Sequence, residues 1–295
     1  MTVAHQVPQV TVIGDIARDV NVRVAGRVPG DLVAAGDTPA RIRTSLGGSA
    51  GVTAAWLAYQ GVPVRLISAR GDDHSGTALE ADLLRLGVEP RLQIVMDHPT
   101  GTVVVLVDST GERTMLPDPG ANAHVTSDWC VREIAGRHLH VSAYPWFRPE
   151  TRATVEAAIA EARTRSMTVS VDLNSHSLVT DHGRELEVLL DQVDIIFANS
   201  DESLALGNSW RPRDSCIFVV KLGDAGARWA TDGDTGHSPA IDAPLVDTVG
   251  AGDAFAAGFL TSWLADGLVG KATAAGNSVA AVCVARVGPA PGCRP

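Results

Sequence analysis

The sequence predicts an α/β fold built on a mostly parallel sheet with helices on both faces. Short β-branched runs alternate with Ala/Leu-rich stretches of helical length, which is typical of strand–helix–strand units. The predicted strands are apolar along most of their length, as expected when helices cover a sheet on both faces. The 295 residues, 45% of them hydrophobic, are enough for one large α/β domain or two modest ones.

The predicted elements follow one another in a regular order. A strand in QVTVIGD is followed by a helix in GSAGVTAAWLAYQG, then by a strand in VRLISARG and a helix in SGTALEADLLRLG that ends at Gly87. Later strands are predicted in HLHVSAY, MTVSVDLN, VDIIFAN and CIFVVKLG, with a helix in PETRATVEAAIAEARTR. Near the C-terminus, HSPAIDAPLVDT has a strand-like pattern and DAFAAGFLTSWLADG a helical one.

Two segments, approximately 17–46 and 91–119, break this alternation. They alternate apolar and polar residues, contain turn signals and lack a convincing helix. They predict antiparallel hairpins, either as a small sheet beside the main domain or as two additions to its edges. Because no repeat or low-complexity linker separates any part of the chain, residues 1–295 are expected to form a single domain.

The charge distribution excludes two classes of partner. The net charge is −10, the isoelectric point is about 5.3, and only two lysines occur, Lys221 and Lys271. The arginines form no basic block, whereas binding to duplex nucleic acid or to an anionic membrane needs clustered basic residues. We therefore expect neither nucleic acid nor a membrane as a partner.

The cysteines and the N-terminal sequence indicate the compartment. Cys130, Cys216, Cys283 and Cys293 lie far apart without a CxxC pair, so they predict buried free thiols rather than a zinc site or a disulfide framework. The sequence has no leader pattern and no run of about 18 apolar residues. The expected location is the cytoplasm.

The stretch VGAGDAFAAGFL combines a glycine turn with a helix start. Gly250, Ala251 and Gly252 can bring their backbone N–H groups close to a ligand, and Asp253 follows in the first helical turn. Such a turn is an anion site, although Asp253 could equally be a helix cap. GxxxxGK[ST] is absent, and GDIARD rather than GxGxxG follows the first strand, so neither a P-loop nor a dinucleotide fingerprint is present.

Four motifs together resemble the ribokinase family of carbohydrate kinases, also called PfkB-type. DTVGAGDAFAAGFL is similar to the C-terminal signature of this family and GGSAGVTAAWLAYQGVPVRLISARGDDHSG to its N-terminal signature. NSDES resembles the NxxE element and KLGDAG the LGxxG element. The motifs occur in the family's order over nearly the whole chain. The resemblance implies a ribokinase-like three-layer α/β/α sandwich with a small β lid formed by the two irregular segments.

The resemblance also implies an ATP-dependent phosphotransferase that acts on the hydroxymethyl group of a sugar. Asp253 would be the base that deprotonates this primary alcohol. The amides of Gly250, Ala251 and Gly252 would stabilise the charge on the transferred phosphoryl group. The lid would exclude water, which otherwise competes as the acceptor.

The substrate side of the site is expected at the first strand and at the glycine pair. In GDIARD, Asp19 falls where the family has an aspartate that binds sugar hydroxyls, and Asp15 is expected in the same site. Gly47 and Gly48 would allow close approach of the substrate and act as the lid hinge, with Ser49 next to them.

The nucleotide side is expected to hold ATP with Mg²⁺. Asn199 and Glu202 would bind Mg²⁺ through its water shell, and Asp247 matches a residue that helps bind a monovalent cation such as K⁺ in some members. The residues expected at ATP are Asn199, Lys221, Gly223, Gly226, Thr248 and Asn277.

Two further groups of residues have alternative interpretations. Asp172 and Asn174 lie at a strand end, where they would line the phosphate or metal region or cap a turn. Tyr144, Trp146 and Phe147 would stack on a base or sugar or pack in the core or lid.

The chain departs from the family at two sugar-contacting positions, where Val52 and Ala17 replace asparagine. These departures leave a nucleoside kinase of the adenosine or pseudouridine type as an alternative to a sugar kinase. A catalytically weak sugar- or nucleoside-binding relative is the third alternative. The expected partners are the acceptor and ATP, with a homodimer through the lid.

Overall fold

A computed structural model describes residues 9–28, 30–32, 36–207 and 212–292. In these ranges the strands are β1 Val10–Ile13, β2 Ala17–Val24, β3 Ala40–Gly47, β4 Val64–Gly71, β5 Glu89–Val95, β6 Thr102–Val107, β7 Arg113–Asp118, β8 His138–Ser142, β9 Thr168–Asp172, β10 Ile195–Asn199, β11 Ile217–Lys221, β12 Ala227–Thr231 and β13 Asp234–Ser238. The helices are α1 Ser49–Tyr59, α2 His74–Arg85, α3 Ser127–Glu133, α4 Tyr144–Phe147, α5 Pro149–Thr164, α6 His176–Leu190, α7 Ser200–Ala205, α8 Ala251–Asp266 and α9 Val269–Val284.

Nine strands form the main sheet, in the order β13-β12-β11-β10-β9-β8-β1-β4-β5. The strands from β11 to β5 pair in parallel, and β12 and β13 add an antiparallel edge. Helices α1, α8 and α9 pack on one face, whereas α5 and α6 pack on the other. The predicted three-layer α/β/α fold is therefore confirmed.

Side chains of each buried strand alternate between the two hydrophobic layers. On β1, Val10 and Val12 contact the layer of α1 and α8, and Ile13 contacts the opposite layer. On β10, Phe197 points to the first layer and Ile196 to the second. Because both faces are covered, the strands are apolar at consecutive positions, which is the pattern that the sequence showed.

A second sheet of four strands has the order β3-β2-β6-β7, and we call it the lid sheet. The predicted hairpin pairing holds for β2 with β3 and for β6 with β7, which are antiparallel. The two central strands, β2 and β6, run in parallel, so the lid sheet is mixed rather than wholly antiparallel.

The first residues of the segment 91–119 belong to the main sheet, contrary to the expectation that the lid begins at residue 91. β5 pairs with β4 in parallel after the crossover helix α2, so this part of the lid starts at β6. β5 is the edge strand of the main sheet; Leu92 is buried in the layer of α1 and α8 and Val95 packs against the opposite layer, whereas Ile94 is exposed.

The strand-like segment HSPAIDAPLVDT is the second difference from the prediction. β13 ends at Ser238, and residues 239–250 contain no strand. Pro239 and Pro244 lack the N–H groups that a ladder needs, so the chain leaves the sheet and runs along the large cavity described below. Within the described ranges, none of the helices combines the length and apolar character that crossing a bilayer requires.

Candidate active site

A cavity of about 1070 Å³ lies between the carboxyl ends of the parallel strands and the lid sheet. Among the residues that the sequence analysis placed in the site, four are absent from its lining, namely Gly47, Trp146, Asp172 and Asp247, and the others are present. The loops that follow parallel strands meet at this edge of a sheet, which explains how positions from Asp15 to Asn277 converge. The roles predicted for these residues stay predictions, whereas their proximity is a property of the fold.

The glycine turn at the start of α8 has the conformation that an anion site requires. Gly250 is the residue before the helix and has a left-handed φ of 77°. A Cβ at this position would lie 2.6 Å from the Cβ of Pro289, so space as well as φ favours glycine. Gly250, Ala251 and Gly252 line the cavity, and the Ala251 amide also donates to the Thr248 carbonyl at 3.3 Å. The dipole of a helix favours negative charge at such a start.

Asp253 lies one turn into α8 and bonds to a distant side chain. The Ser49 hydroxyl donates to Asp253 Oδ1 at 2.5 Å, and no side-chain cap is formed at the start of α8. The alternative that Asp253 serves as the helix cap therefore lacks its hydrogen bond. Burial raises the pKa of Asp253 to about 7; the Ser49 hydrogen bond lowers it, and the nearby Asp172 charge raises it.

Asn174 orients the hydroxyl group that contacts Asp253. Its Nδ2 donates to Ser49 Oγ at 2.9 Å, while its Oδ1 accepts from the Ser142 hydroxyl at 2.9 Å and from the Ala143 amide at 3.0 Å. Asn174 has a left-handed φ of 63°, which asparagine tolerates better than most residues. Asn174 therefore caps a turn through the Ala143 amide and also lines the cavity, where it directs the Ser49 proton toward Asp253.

Lys221 and Asp172 form a buried ion pair at the ends of β11 and β9. Lys221 Nζ lies 2.9 and 2.6 Å from the two Asp172 oxygens. A Cβ on Gly252 would lie 3.2 Å from Nζ, so the ammonium group borders the glycine turn. Burial opposes the charged form, but the charges of Asp172 and Glu202 outweigh it and raise the pKa of Lys221.

Asn199 and Glu202 bond to each other across the start of α7. The backbone N–H of Asn199 donates to Glu202 Oε2, and the Asn199 side-chain Nδ2 donates to Glu202 Oε1, each at 2.8 Å. In return, the backbone N–H of Glu202 donates to Asn199 Oδ1 at 2.8 Å. This capping box holds a carboxylate that is only 2% exposed. Burial raises the pKa of Glu202 to about 7, partly offset by the Lys221 charge.

These two residues fit a hydrated Mg²⁺ ion better than a direct metal cage. No group of three or more His, Cys, Asp or Glu side chains in the described ranges is arranged to hold a metal. Mg²⁺ commonly keeps several waters and binds one or two carboxylates together with substrate phosphates. A cation near Glu202 would also favour its ionised form, which burial disfavours.

Asp19 and the glycine pair, which were expected at the substrate, lie in close contact with each other, and Asp19 and Gly48 line the cavity. The Asp19 carboxylate packs directly over Gly47, where an added Cβ would lie 1.9 Å from Asp19 Oδ1. Gly48 has a φ of 79°, and a Cβ there would lie 2.4 Å from the Asp15 carbonyl oxygen. Asp19 is only 4% exposed, and burial raises its pKa to about 7 despite the charge of Arg18. A side chain at Gly47 would collide with the Asp19 carboxylate and one at Gly48 with the Asp15 backbone, so both positions require glycine.

Arg148 is a residue of this site that the sequence analysis missed. Its guanidinium binds both oxygens of Asp15, with Nη1 3.0 Å from Oδ1. The two Arg148 nitrogens thus occupy both oxygens of Asp15, the carboxylate that was expected to contact the substrate directly. Arg148 follows the short helix α4 without a recognisable motif, so no local signal identifies it.

Among the residues expected at ATP, the two glycines are explained by their backbone conformation, and Asn277 has an unexpected contact. Gly223 and Gly226 have left-handed φ values of 64° and 88°, and a Cβ on Gly226 would lie 2.2 Å from the Ser238 carbonyl oxygen. Asn277 Nδ2 donates to the carbonyls of Ser238 and Pro239 at 2.9 and 3.0 Å. Asn277 therefore fixes the cavity wall, and its amide donors are already used.

Asp247 lies outside the large cavity and its environment does not fit a monovalent cation. Arg113 Nη2, from β7 of the lid sheet, lies 2.7 Å from Asp247 Oδ1, which also accepts from the Val249 amide. The other oxygen accepts from the Gly288 amide at 3.1 Å. Arg113 also donates to the Thr248 hydroxyl. A guanidinium and two backbone N–H groups thus surround the Asp247 carboxylate, whereas a bound cation would need oxygen ligands there.

The aromatic cluster divides between the core and the cavity. Trp146 and Phe147 are buried, in agreement with the core-packing alternative, although Phe147 also borders the cavity. The Tyr144 hydroxyl donates to the Asn174 carbonyl and its ring faces the cavity. Val52 and Ala17, which replace the expected asparagines, line the same wall and make it apolar.

Comparison with known proteins agrees with this geometry. Residues 7–295 match the model of the pfkB family carbohydrate kinases. The chain belongs to this family of carbohydrate kinases. It is 35% identical to an ATP-dependent ribose-1-phosphate kinase of Halopiger xanaduensis, covering 93% of this chain and 91% of the relative. It is 29% identical to a fructokinase of Salmonella typhimurium, covering 90% and 88% respectively.

Solved structures of similar proteins show the same fold. An adenosine kinase of Sinorhizobium meliloti superposes with a TM-score of 0.83 at 25% identity, covering 97% of this chain and 96% of that one. A protein described as ribokinase II from Escherichia coli, in complex with ATP and Mg²⁺, has a TM-score of 0.81 at 20% identity, covering 96% and 94%. The chain is therefore an ATP-dependent carbohydrate kinase with a ribokinase-like fold.

The pKa of Asp253 makes the pH profile of this kinase informative. As the pH rises through about 7, Asp253 ionises, so kcat/KM is expected to rise with pH and then level off. The Ser49 hydrogen bond lowers this pKa. In Ser49→Ala the rising limb should therefore move to higher pH, as measured in steady-state assays across the range.

The control for this prediction is Ser278→Ala, which removes an exposed hydroxyl that bonds only to the Ala274 carbonyl within α9. Its profile should coincide with that of the wild type. Superimposable profiles for Ser49→Ala and the wild type would contradict the coupling between Ser49 and Asp253.

Proposed function

We propose that this kinase transfers the γ-phosphoryl group of ATP to a primary hydroxyl of a sugar, with Asp253 as the base. The observation that carries the proposal is the position of the Asp253 carboxylate beside the Gly250 turn and in the same cavity as Asp19. A hydroxymethyl group at Asp253 would lie next to the glycine turn at which the phosphoryl group arrives. Base and anion site are thus provided by one helix start.

The predicted site residues that line the cavity each have a part in the proposed reaction. Asp19 accepts hydrogen bonds from sugar hydroxyls and so fixes the acceptor, and Asp253 takes the proton of the attacking hydroxyl. The amides of Gly250, Ala251 and Gly252 receive the charge on the transferred phosphoryl oxygens. Lys221, held by Asp172, adds a positive charge next to this turn. The cavity walls exclude water as a competing acceptor.

Mg²⁺ would bind in this cavity together with ATP. Asn199 and Glu202 would hold the ion, which neutralises phosphate charge and positions the donor when it is bound. Gly223, Gly226 and Asn277 shape the wall of the cavity where the nucleotide would lie. Thr248, whose hydroxyl accepts from Arg113, borders the phosphate end.

The identity of the acceptor has two candidates within this chemistry. The names of the relatives include kinases of a free sugar and of a sugar phosphate, so both kinds of sugar are candidate acceptors. A nucleoside is the second candidate, because Ala17, Val52, Tyr144 and Phe147 give the cavity an apolar wall. The third alternative, a catalytically weak relative, is disfavoured by the complete set of Asp253, glycine turn, Asn199 and Glu202.

We infer that activity does not require a monovalent cation at Asp247. The Asp247 carboxylate is already neutralised by Arg113 and accepts two backbone amides. A cation that binds there would have to displace the guanidinium and would meet N–H donors. Arg113 thus supplies the positive charge that the loop before the glycine turn needs.

The outer face of the lid sheet is the surface that we propose for a homodimer. It carries apolar side chains on the face opposite Asp19, with Val22 paired to Ile42 and Val104 to Leu116. Ile42 is 63% exposed and Leu116 53% exposed. Contiguous apolar side chains at such exposure are typical of protein interfaces.

The proposed location remains the cytoplasm. Cys130, Cys216 and Cys283 are buried and free, which suits a reducing compartment. Cys293 lies outside the described residues.

A panel of acceptors tests the proposed reaction. Pentoses, hexoses, their phosphate esters and nucleosides are each incubated with ATP and Mg²⁺, and ADP release is measured. We expect turnover with acceptors that have a free hydroxymethyl group, and a decrease in kcat by about 10² to 10⁴ in Asp253→Asn. Asp266→Asn, at the exposed end of α8, is the control. Nearly full turnover by Asp253→Asn would sink the assignment of the base.

Salt substitution tests the inference about the monovalent cation. At equal ionic strength, activity in potassium chloride and in tetramethylammonium chloride should be the same, because Arg113 occupies Asp247. Arg113→Met removes that charge, so its activity is expected to fall and to become dependent on potassium. Strong activation of the wild type by potassium would show that Arg113 does not replace the ion.

Light scattering coupled to size exclusion tests the proposed dimer. The wild type should elute as a dimer, and Ile42→Asp with Leu116→Asp should shift it to the monomer by placing charge in an apolar interface. Val188→Asp introduces the same charge at a 63% exposed position on α6 and should leave the dimer intact. A monomeric wild type would rule out this use of the lid face.

A further inference from the structure

Asn122 is a buried side chain at the junction of the main domain and the lid sheet. It lies in the 3₁₀ turn Gly120–His124 that follows β7, and only 2% of it is exposed. Its Nδ2 donates to the carbonyls of Ile16 and Pro119 at 2.8 and 2.9 Å. Its Oδ1 accepts from the Ile16 amide at 3.3 Å and from the Ser68 hydroxyl at 3.1 Å. Asn122 therefore joins segments that are distant in the chain.

These four bonds use the whole hydrogen-bonding capacity of the Asn122 amide, which has two N–H donors and an oxygen with two lone pairs. The side chain borders the large cavity, where Asp15, Asp19 and Asp253 also lie. Because its donors and lone pairs are taken, Asn122 offers no hydrogen bond to a substrate. An effect of Asn122 on the reaction has to pass through the groups that it holds.

Two of the four bonds hold the backbone of Ile16, a residue that lies between two strands. β1 ends at Ile13 and β2 begins at Ala17, so the Ile16 N–H and C=O belong to neither ladder. Ile16 is fully buried, and a buried backbone group without a partner is costly. The Asn122 amide presents a donor and an acceptor side by side and so takes the place of a neighbouring strand. We call this pair of bonds the Ile16 clamp.

The residues on either side of Ile16 are those expected at the acceptor. Asp15 precedes Ile16 and is held by Arg148, while Asp19 follows on β2. Both aspartates line the large cavity. Because the chain between them passes through Ile16, the Ile16 clamp fixes where the Asp19 carboxylate lies relative to the main sheet.

Two further chain crossings between the main domain and the lid sheet meet at the same point. Gly101 precedes β6, and a Cβ there would lie 2.3 Å from Asn122 Nδ2 and 2.9 Å from the Ile16 carbonyl oxygen. Pro119, whose carbonyl accepts from Asn122, follows β7. Ser68 lies on β4 of the main sheet. The crossings before β2, before β6 and after β7 are thus packed around one side chain, which the main sheet anchors.

We propose that Asn122 is a positioning residue for the acceptor, because it holds Ile16 and thereby sets the distance from Asp19 to Asp253. This inference rests on the proposed function, in which Asp19 binds sugar hydroxyls and Asp253 takes the proton. Asp19 belongs to the lid sheet and Asp253 to α8, so their spacing depends on how the crossing before β2 is fixed.

The nucleotide side does not depend on this crossing. The residues expected at ATP begin with Asn199 at the end of β10 and belong to later parts of the main domain, none of which bonds to the Asn122 side chain. Loosening the Ile16 clamp should therefore impair use of the acceptor and leave the affinity for ATP unchanged.

The test compares the steady-state kinetics of the wild type and of Asn122→Ala with the most rapidly phosphorylated member of the acceptor panel. In the variant, KM for this acceptor should rise by about tenfold to a hundredfold, as expected when a substrate-binding group is misplaced by about an ångström. KM for ATP should change by less than about twofold. If Asn122→Ala does not fold, Asn122→Ser keeps a hydroxyl for one of the two Ile16 groups and should raise the same constant by a smaller factor.

Ser68→Ala is the matched control. It removes a buried hydrogen bond to the same Asn122 oxygen but leaves the Ile16 clamp in place. Its Tm should fall because this bond is lost, while both KM values stay at those of the wild type. Three kinetic outcomes would overturn the inference while leaving the proposed kinase activity intact: an unchanged acceptor KM in Asn122→Ala, an equal rise in its KM for ATP, or an equal rise in the acceptor KM of Ser68→Ala.

Hydrogen exchange tests the Ile16 clamp without any acceptor. It is measured by mass spectrometry on peptides that cover residues 14–19. The Ile16 amide should exchange faster in Asn122→Ala than in the wild type and in Ser68→Ala, because loss of its partner lets this segment open locally. If the wild type phosphorylates no acceptor, the proposed function fails, whereas the exchange rates still decide whether the clamp exists. Equal exchange in all three proteins would show that Asn122 does not hold Ile16.

Discussion

An excess of carboxyl groups over positive charge in one cavity is the constraint on which the site depends. Asp19, Glu202 and Asp253 line it together with Lys221, whose ammonium group pairs with the buried Asp172 behind the lining. Burial raises the pKa of Asp19, Glu202 and Asp253 toward neutrality, and the nearby Asp172 charge adds to the rise for Glu202 and Asp253. Such a site is completed by protons, by a metal ion or by hydroxyl donors from a substrate, and these are the components that a sugar kinase brings together.

The close approach of α8 to its neighbours fixes the position of Asp253. A Cβ on Gly258 would lie 2.8 Å from the Ala275 carbonyl, and one on Gly276 would lie 2.8 Å from the Phe255 ring, so larger residues would separate α8 from α9. The small-residue run AFAAGFL is therefore a packing requirement. Because α1 packs on the same face, Ser49 at its start comes within hydrogen-bonding distance of Asp253, 204 positions later.

Local patterns predicted most of the fold and the positions of the site, but not the contacts of its charged groups. The alternation of apolar strands and helices is local, as is the glycine turn before Asp253. The partner of Asp247 depends on how the lid sheet lies over the main domain, so Arg113, 134 residues away, had no signal in the sequence. The same applies to Arg148 with Asp15. β5 was misassigned because an alternating edge strand and a hairpin strand have the same pattern.

Asp19 belongs to the lid sheet and not to the main sheet that carries Asp253. The acceptor in the proposed reaction is therefore held by the cover of the active site, while its reacting hydroxyl meets the base on the floor. If Gly47 and Gly48 serve as the hinge that we predict, binding the acceptor and covering the cavity would be one movement. In the proposed reaction, the residue that binds the acceptor would then have to move away from Asp253 before the phosphorylated product could leave.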